Sequence, residues 1–146
     1  MNAYTITLHA HSGLRWLVLL LAIVLIVKSL IGLFGSGNYQ KLDNILSASF
    51  VGTMHLQLVI GLVLYVFLSP ITTGAFDSFG EAMKNAGVRY WAVEHITVMI
   101  LAIAAAQIGR TLSKKANEDV VKFRRQAIFY TLSLLLMLTR IPWDRV

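Results

Sequence analysis

The sequence predicts an all-α integral membrane protein, a single domain over residues 1–146 folded as an antiparallel four-helix bundle. The composition is the first reason, because 57% of the residues are hydrophobic and only 14% are charged. Soluble domains are roughly 45–50% apolar and 25% charged. The second reason is that four long apolar runs follow one another along the chain, separated by polar connectors.

Each apolar run is long enough to cross a bilayer, which takes roughly 20 mainly apolar residues in a helix. The predicted spans cover residues 7–34, 44–68, 89–110 and 123–141. The first and third connectors are short and polar, so consecutive helices should be antiparallel neighbours. The middle connector is longer, and its FDSFGEAMKNAG segment predicts a short surface helix that ends at Gly87.

Basic residues concentrate at one end of the predicted helices. They are Lys28, Lys41, Arg110, Lys114, Lys115, Lys122, Arg124 and Arg125. The positive-inside rule places this end in the cytoplasm, so both termini and the middle connector should lie on the outer side, in what we expect to be a bacterial inner membrane. The net charge of +6 then belongs to connectors that flank the membrane, and nucleic-acid binding is not expected. The N-terminus lacks the basic segment of a signal peptide, and the absence of cysteine excludes thiolate metal sites and covalent haem attachment.

The histidines fall in one layer near the predicted outer surface. There are four of them: His9, His11, His55 and His95. Counted from the inner charged boundary of each helix at about 1.5 Å per residue, His11, His55 and His95 lie roughly 25, 18 and 22 Å up. The fourth helix brings Arg140 to roughly 22 Å on the same scale. Three helices therefore each contribute an imidazole to the outer half of the membrane, and the fourth contributes a cation.

Ionisable groups within a membrane span are costly and usually face the interior of the bundle, so this layer predicts a common partner. A b-type haem fits, since its iron takes imidazole ligands and its macrocycle occupies a bundle core. Its propionates would suit Arg15, which lies on the same helical face as His11, or Arg140 or Arg89. Gly52, one turn before His55, would let the ring approach the backbone. Glu94 could pair with any of these three arginines or carry protons at the outer surface.

Two axial pairs are compatible with the estimated heights, His55 with His95 and His11 with His95. We favour His55 with His95, because both lie well inside their spans, and His11 would then hydrogen-bond a propionate or a quinone. His9 is the weakest candidate, since it is two residues from His11 and on another face of the helix. The alternative for every one of these histidines is a structural interhelical hydrogen bond.

The segments LHAHSGLRW, GTMHLQLVIG and VEHITVMILAI resemble the group of small four-helix cytochrome-b-type membrane proteins that includes the CopD-like and SirB-like families. The resemblance covers the whole hydrophobic architecture and implies haem b, histidine ligands on separate helices and a role in quinone-linked electron transfer. It carries over only His11, His55 and His95 as ligand candidates. Two bis-histidine haems would need four well-placed histidines, so we expect one haem.

The first functional hypothesis is therefore an electron-transfer protein, rather than a stand-alone enzyme, that relays electrons between one haem near the outer face and a quinol or a partner protein. Its partners would be the lipid bilayer, other membrane redox subunits or further copies of itself. The second hypothesis is a non-catalytic accessory subunit of a larger membrane complex. The third is a small metal or proton transport protein, with His11, His55 and His95 as the metal ligands.

Overall fold

The computed structural model describes residues 1–145, so the last residue of the expected domain, Val146, lies outside the described part. The described residues are helical almost throughout. The α-helices are α1 (Ala3–Phe34), α2 (Lys41–Val63), α3 (Pro70–Asp77), α4 (Phe79–Lys84), α5 (Ala86–Arg89), α6 (His95–Lys115) and α7 (Asp119–Arg140). Two π-helical segments, Leu64–Leu68 and Tyr90–Glu94, continue α2 and join α5 to α6, and a short 3-10 turn covers Trp143–Arg145.

The four long helices of the described chain form a closed ring. Helix α1 packs against α2 and α7, and α6 packs against the same two neighbours, so α1 and α6 lie across the ring from each other. Small residues let the helices approach closely, as expected where helix association depends on backbone proximity. A Cβ added to Gly32 of α1, for example, would come within 2.6 Å of the Phe123 ring of α7.

The helix boundaries follow local chemistry. Asn2 caps α1 by accepting a hydrogen bond from the Thr5 amide at 2.9 Å, and Ser69 with Pro70 begins α3. The predicted surface helix ending at Gly87 was wrong in its extent. Asn85 leaves the helical conformation and caps α5, so the connector divides into α3, α4 and α5, and Gly87 lies inside α5.

Three of the described helices are long and apolar enough to cross a membrane: α1, the continuous helix Lys41–Leu68 and the continuous helix Ala86–Lys115. Helix α7 does not join them. Its first two turns carry Asp119, Lys122, Arg124 and Arg125 and its last residue is Arg140, so its uncharged stretch covers residues 126–139. That stretch measures roughly 20 Å along a helix, against about 30 Å for a typical hydrocarbon core.

One end of the ring, which we call the basic end, is closed by buried polar side chains. Gln126 accepts a hydrogen bond from Ser29 Oγ at 3.2 Å and donates to Tyr39 Oη at 2.6 Å and Ser113 Oγ at 3.3 Å. Burial raises the pKa of Tyr39 above its usual value. One turn after Gln126 on α7, Tyr130 is hydrogen-bonded to Ser47 of α2. A mainly apolar cavity lies at the opposite end of the ring.

Candidate functional site

The opposite end of the ring, which we call the histidine end, contains a cavity of about 310 Å³. The parts of α1, α2 and α6 at this end, the first turn of α3 and the end of α7 line it. Its volume falls in the range of small-molecule and cofactor sites, roughly 300–1,000 Å³. The lining is mainly apolar, and its polar side chains include His11, Arg15, Gln57 and His95.

Two histidines face each other in this cavity. The imidazole centroids of His11, on α1, and His95, at the start of α6, are 6.4 Å apart with an angle of 72° between the rings. A metal held between two imidazole nitrogens at the usual 2.0–2.1 Å would separate the ring centroids by roughly 6.3 Å, since each nitrogen lies roughly 1.1 Å from its centroid. The observed separation matches this bridging distance. The two helices that carry the pair lie across the ring from each other, so a bridging group would link them.

A hydrogen bond fixes the tautomer of His95. Its Nδ1 lies 2.8 Å from the carbonyl oxygen of Arg140. A carbonyl only accepts, so Nδ1 carries the proton and Nε2 keeps its lone pair. Tyr90 donates its hydroxyl to the same oxygen at 2.7 Å. Histidines that bind metals almost always donate their other nitrogen in this way, because the bond orients the ring and raises its basicity.

The Arg140 carbonyl is available because α7 ends there. Pro142 disfavours the helical conformation at the preceding residue, and Ile141 is extended, with φ −72° and ψ 130°. The last carbonyls of a helix have no partner within it. The sequence Arg140-Ile141-Pro142 therefore presents an acceptor to His95 from the neighbouring helix.

His11 is held against α2. A Cβ added to Gly61 would lie 3.0 Å from His11 Cε1, so the ring rests where only a glycine leaves room. Gln57, one turn earlier on α2, donates its side-chain amide to the His11 carbonyl at 2.8 Å. His11 Nδ1 and Gln57 Oε1 are buried without hydrogen-bond partners. These orphaned polar atoms favour a site that receives a ligand.

The two π-helical segments border this site. Tyr90–Glu94 immediately precedes His95, and Leu64–Leu68 contributes Leu64 and Tyr65 to the cavity wall. Single π-helical turns within α-helices occur frequently at functional sites. Here the turn before His95 also carries Tyr90, which shares the Arg140 carbonyl with the histidine.

Glu94 forms ion pairs with two of the three arginines considered from the sequence. Its carboxylate lies 3.1 Å from Arg89 Nε and 3.6 Å from Arg140 Nε. Arg15 has no such partner among the described ion pairs, although it lines the cavity. Through Arg140, Glu94 holds the end of α7 that supplies the acceptor for His95.

The favoured pairing of His55 with His95 does not fit this arrangement. His55 is exposed on α2 and is not part of the cavity wall, while its neighbour Met54 faces the core. Gly52 is also exposed, and a Cβ there would meet nothing within 4 Å, so it does not approach a cofactor in this cavity. His9 is exposed at the rim of the cavity. The predicted heights of His11 and His95 are compatible with the observed pair, but the expectation that His55 faces the interior of the bundle was wrong.

The three histidines proposed as metal ligands are not brought together. Within the part of the chain that the structure describes, no group of three or more His, Cys, Asp or Glu side chains could hold a metal ion. A haem takes only two axial ligands from the protein, fewer than the three side chains of such a group. What the residues at the histidine end provide is the opposed pair His11 and His95.

Sequence reasoning missed Gly61, Gln57 and Tyr90. The first two could have been found from helical spacing, because Met54, Gln57 and Gly61 recur every three or four residues on the face of α2 that turns inward. Tyr90 could not, since its role depends on where α7 ends.

Comparison with protein families, curated proteins and solved structures gives no match to this chain. Its class therefore rests on its own fold and site. The described chain is an all-helical protein with three helices able to cross a membrane and a cavity that holds an opposed histidine pair.

Proposed function

We propose that this chain is a four-helix membrane protein that binds one b-type haem between His11 and His95 and relays electrons to or from a quinol or a partner protein. The observation that carries the proposal is the 6.4 Å separation of the two imidazole centroids within a largely apolar cavity. Bound there, the haem would supply one-electron transfer through the ferric and ferrous states of its iron.

The donor set suits this group. His95 presents Nε2 as a free lone pair, because its Nδ1 donates to the Arg140 carbonyl at 2.8 Å. His11 stands on the opposite side of the cavity, and Gly61 leaves room for its ring. The apolar walls from α1, α2 and α6 would exclude water, and burial, ligand basicity and nearby arginine charge would set the reduction potential.

The proposal also includes the membrane arrangement. Helix α7 would be the fourth span, with Arg140 at one interface and Arg124 and Arg125 at the other. A short apolar stretch is accommodated by local thinning of the bilayer and by long basic side chains that reach the interface. The basic end would face the cytoplasm of a bacterial cell, and the histidine end would face outward.

The test is the absorbance spectrum of detergent-purified protein, oxidised and reduced with dithionite, after haem supplementation. Wild type should give the sharp reduced bands of a six-coordinate b-type haem. His11→Ala and His95→Ala should each lose this spectrum, because each removes one axial ligand. His55→Ala is the matched control, because it removes an exposed histidine of α2 that does not line the cavity. This variant should keep the spectrum.

A colourless wild-type protein would contradict the proposal. It would favour the accessory-subunit hypothesis, in which His11 and His95 are polar packing residues and the chain co-purifies with other membrane subunits. Loss of the spectrum in His55→Ala, with retention in His11→Ala, would instead restore the pair that we favoured from the sequence.

A further inference from the structure

Arg15 is a buried cation that pairs with no carboxylate of residues 1–145. The residue is only 8% exposed, it lines the cavity, and its Nε has no hydrogen-bond partner. It lies one turn after His11 on the same helix, and its guanidinium rests 5.1 Å from the centre of the Trp16 ring. A cation–π contact offsets only part of the cost of removing a guanidinium from water.

The acidic side chains that could balance it are engaged or remote. Glu94 pairs with Arg89 and Arg140, and Asp43 pairs with Lys28 at the basic end. The remaining acidic residues lie in the connectors and at the chain end: Asp77, Glu81, Glu118, Asp119 and Asp144. Among residues 1–145, no carboxylate is within ion-pair distance of Arg15. The described residues therefore leave Arg15 available to a negative charge carried by a molecule in the cavity.

We propose that Arg15 binds a carboxylate of the cavity's occupant. A guanidinium is suited to this group, because its planar donors match the two oxygens of a carboxylate. This inference distinguishes Arg15 from the other two arginines considered from the sequence, which Glu94 already occupies. It rests on the proposed function where the carboxylate is a haem propionate. The other source of the same chemistry is an amphiphile such as a fatty acid.

Arg15 also determines where that carboxylate lies. It is four residues further along α1 than His11, which is about 6 Å of helix rise toward the basic end. The cavity wall continues in that direction through Val18 and Leu19. Because helical side chains tilt toward the helix N-terminus, the Arg15 guanidinium reaches back from this position toward the level of the histidine pair, and the carboxylate would be bound there.

The experiment compares two iron porphyrins, ferric protoporphyrin IX and its dimethyl ester, in titrations of the wild type and Arg15→Gln followed by absorbance. Wild type should bind the free acid about ten- to a hundredfold more tightly than the ester, the range expected for hydrogen bonds to a charged group. In Arg15→Gln this preference should fall close to one. Arg15→Lys should keep part of it, because it retains the charge but not the paired donors.

Arg89→Gln is the control, since it removes an arginine that Glu94 already engages, and it should keep the wild-type preference. An equal preference for the free acid in the wild type and Arg15→Gln, with both showing the six-coordinate spectrum, would overturn the inference and leave the haem proposal intact.

If neither porphyrin binds, the haem proposal fails and Arg15 is tested separately with oleate, whose binding is measured by calorimetry in detergent. Oleate that binds the wild type and not Arg15→Gln would support a fatty carboxylate as the occupant. Equal binding to both proteins, or binding to neither, would overturn the inference as well.

Discussion

The contact between Gly61 and His11 gives the most specific prediction of the site, and the substitution that tests it is Gly61→Ala. The added Cβ would lie 3.0 Å from His11 Cε1. Carbon atoms pack best at roughly 3.5–4.0 Å, so the imidazole would have to move by a few tenths of an ångström. Metal–ligand distances tolerate only about 0.2 Å. A shift of this size is therefore large enough to weaken an axial bond.

The expected cost follows from the energetics of overpacking. Inserting one methyl group into a filled site costs typically about 1–3 kcal/mol. If that cost falls on the ligand-bound state, haem affinity should fall about five- to a hundredfold, since each 1.4 kcal/mol is about a factor of ten. The reduced spectrum should shift toward the five-coordinate form as the bond to His11 weakens, while the bond to His95 persists.

Gly52→Ala is the matched control. It makes the same chemical change on the same helix, with the same gain in helix propensity, at a position where the new Cβ meets nothing within 4 Å. Haem titration of the two variants side by side isolates the contact with His11. Equal affinities in Gly61→Ala, Gly52→Ala and wild type would refute the placement of His11 against α2. A loss confined to Gly52→Ala would indicate that the cofactor lies on the outer face of α2, near His55.

Three further predictions concern residues that support the site and the fold. Tyr90→Phe removes one of the two donors to the Arg140 carbonyl and should shift the haem reduction potential measurably, with the six-coordinate spectrum retained. An unchanged potential in a redox titration would show that the Tyr90 hydroxyl does not tune His95. Gln126→Ala should lower the free energy of unfolding by about 1–3 kcal/mol, because it leaves buried partners unpaired at the basic end, and a thermal midpoint equal to that of wild type would contradict this. Because the pKa of Tyr39 is raised in the folded chain, the tyrosine of the unfolded chain ionises first as pH rises, and the free energy of unfolding should decline above about pH 10. Tyr39→Phe should remove the contribution of Tyr39 to this decline, which is checked by measuring unfolding on either side of this pH.

The sequence predicted how far along each helix a residue lies much better than the direction it faces. His11 and His95 were placed at nearly the same height by counting residues, and their rings do meet. His55 was placed in the same layer and is exposed. In a soluble protein, hydrophobic periodicity would have shown which face of α2 is buried. In the membrane arrangement that we propose, lipid is as apolar as a protein core, so periodicity would not distinguish the faces of α2.

Small and polar residues carry the remaining information about direction. On α2, Gln57 and Gly61 mark the face that turns toward His11, while Gly52 lies on the exposed face. A glycine alone is ambiguous, because both faces of a membrane helix use small residues for packing. Gln57 is the better indicator, since a polar amide within a membrane span needs a partner inside the bundle.

The end of α7 and the geometry of His95 have the same origin. A helix that continued past Arg140 would give the carbonyl of Arg140 to an amide one turn later, and His95 Nδ1 would lose its acceptor. Pro142 ends the helix at Arg140, which leaves that carbonyl free at the depth of the cavity and keeps the arginine side chain within reach of Glu94. The residues that end α7 therefore also prepare His95 to act as a ligand in the proposed haem site.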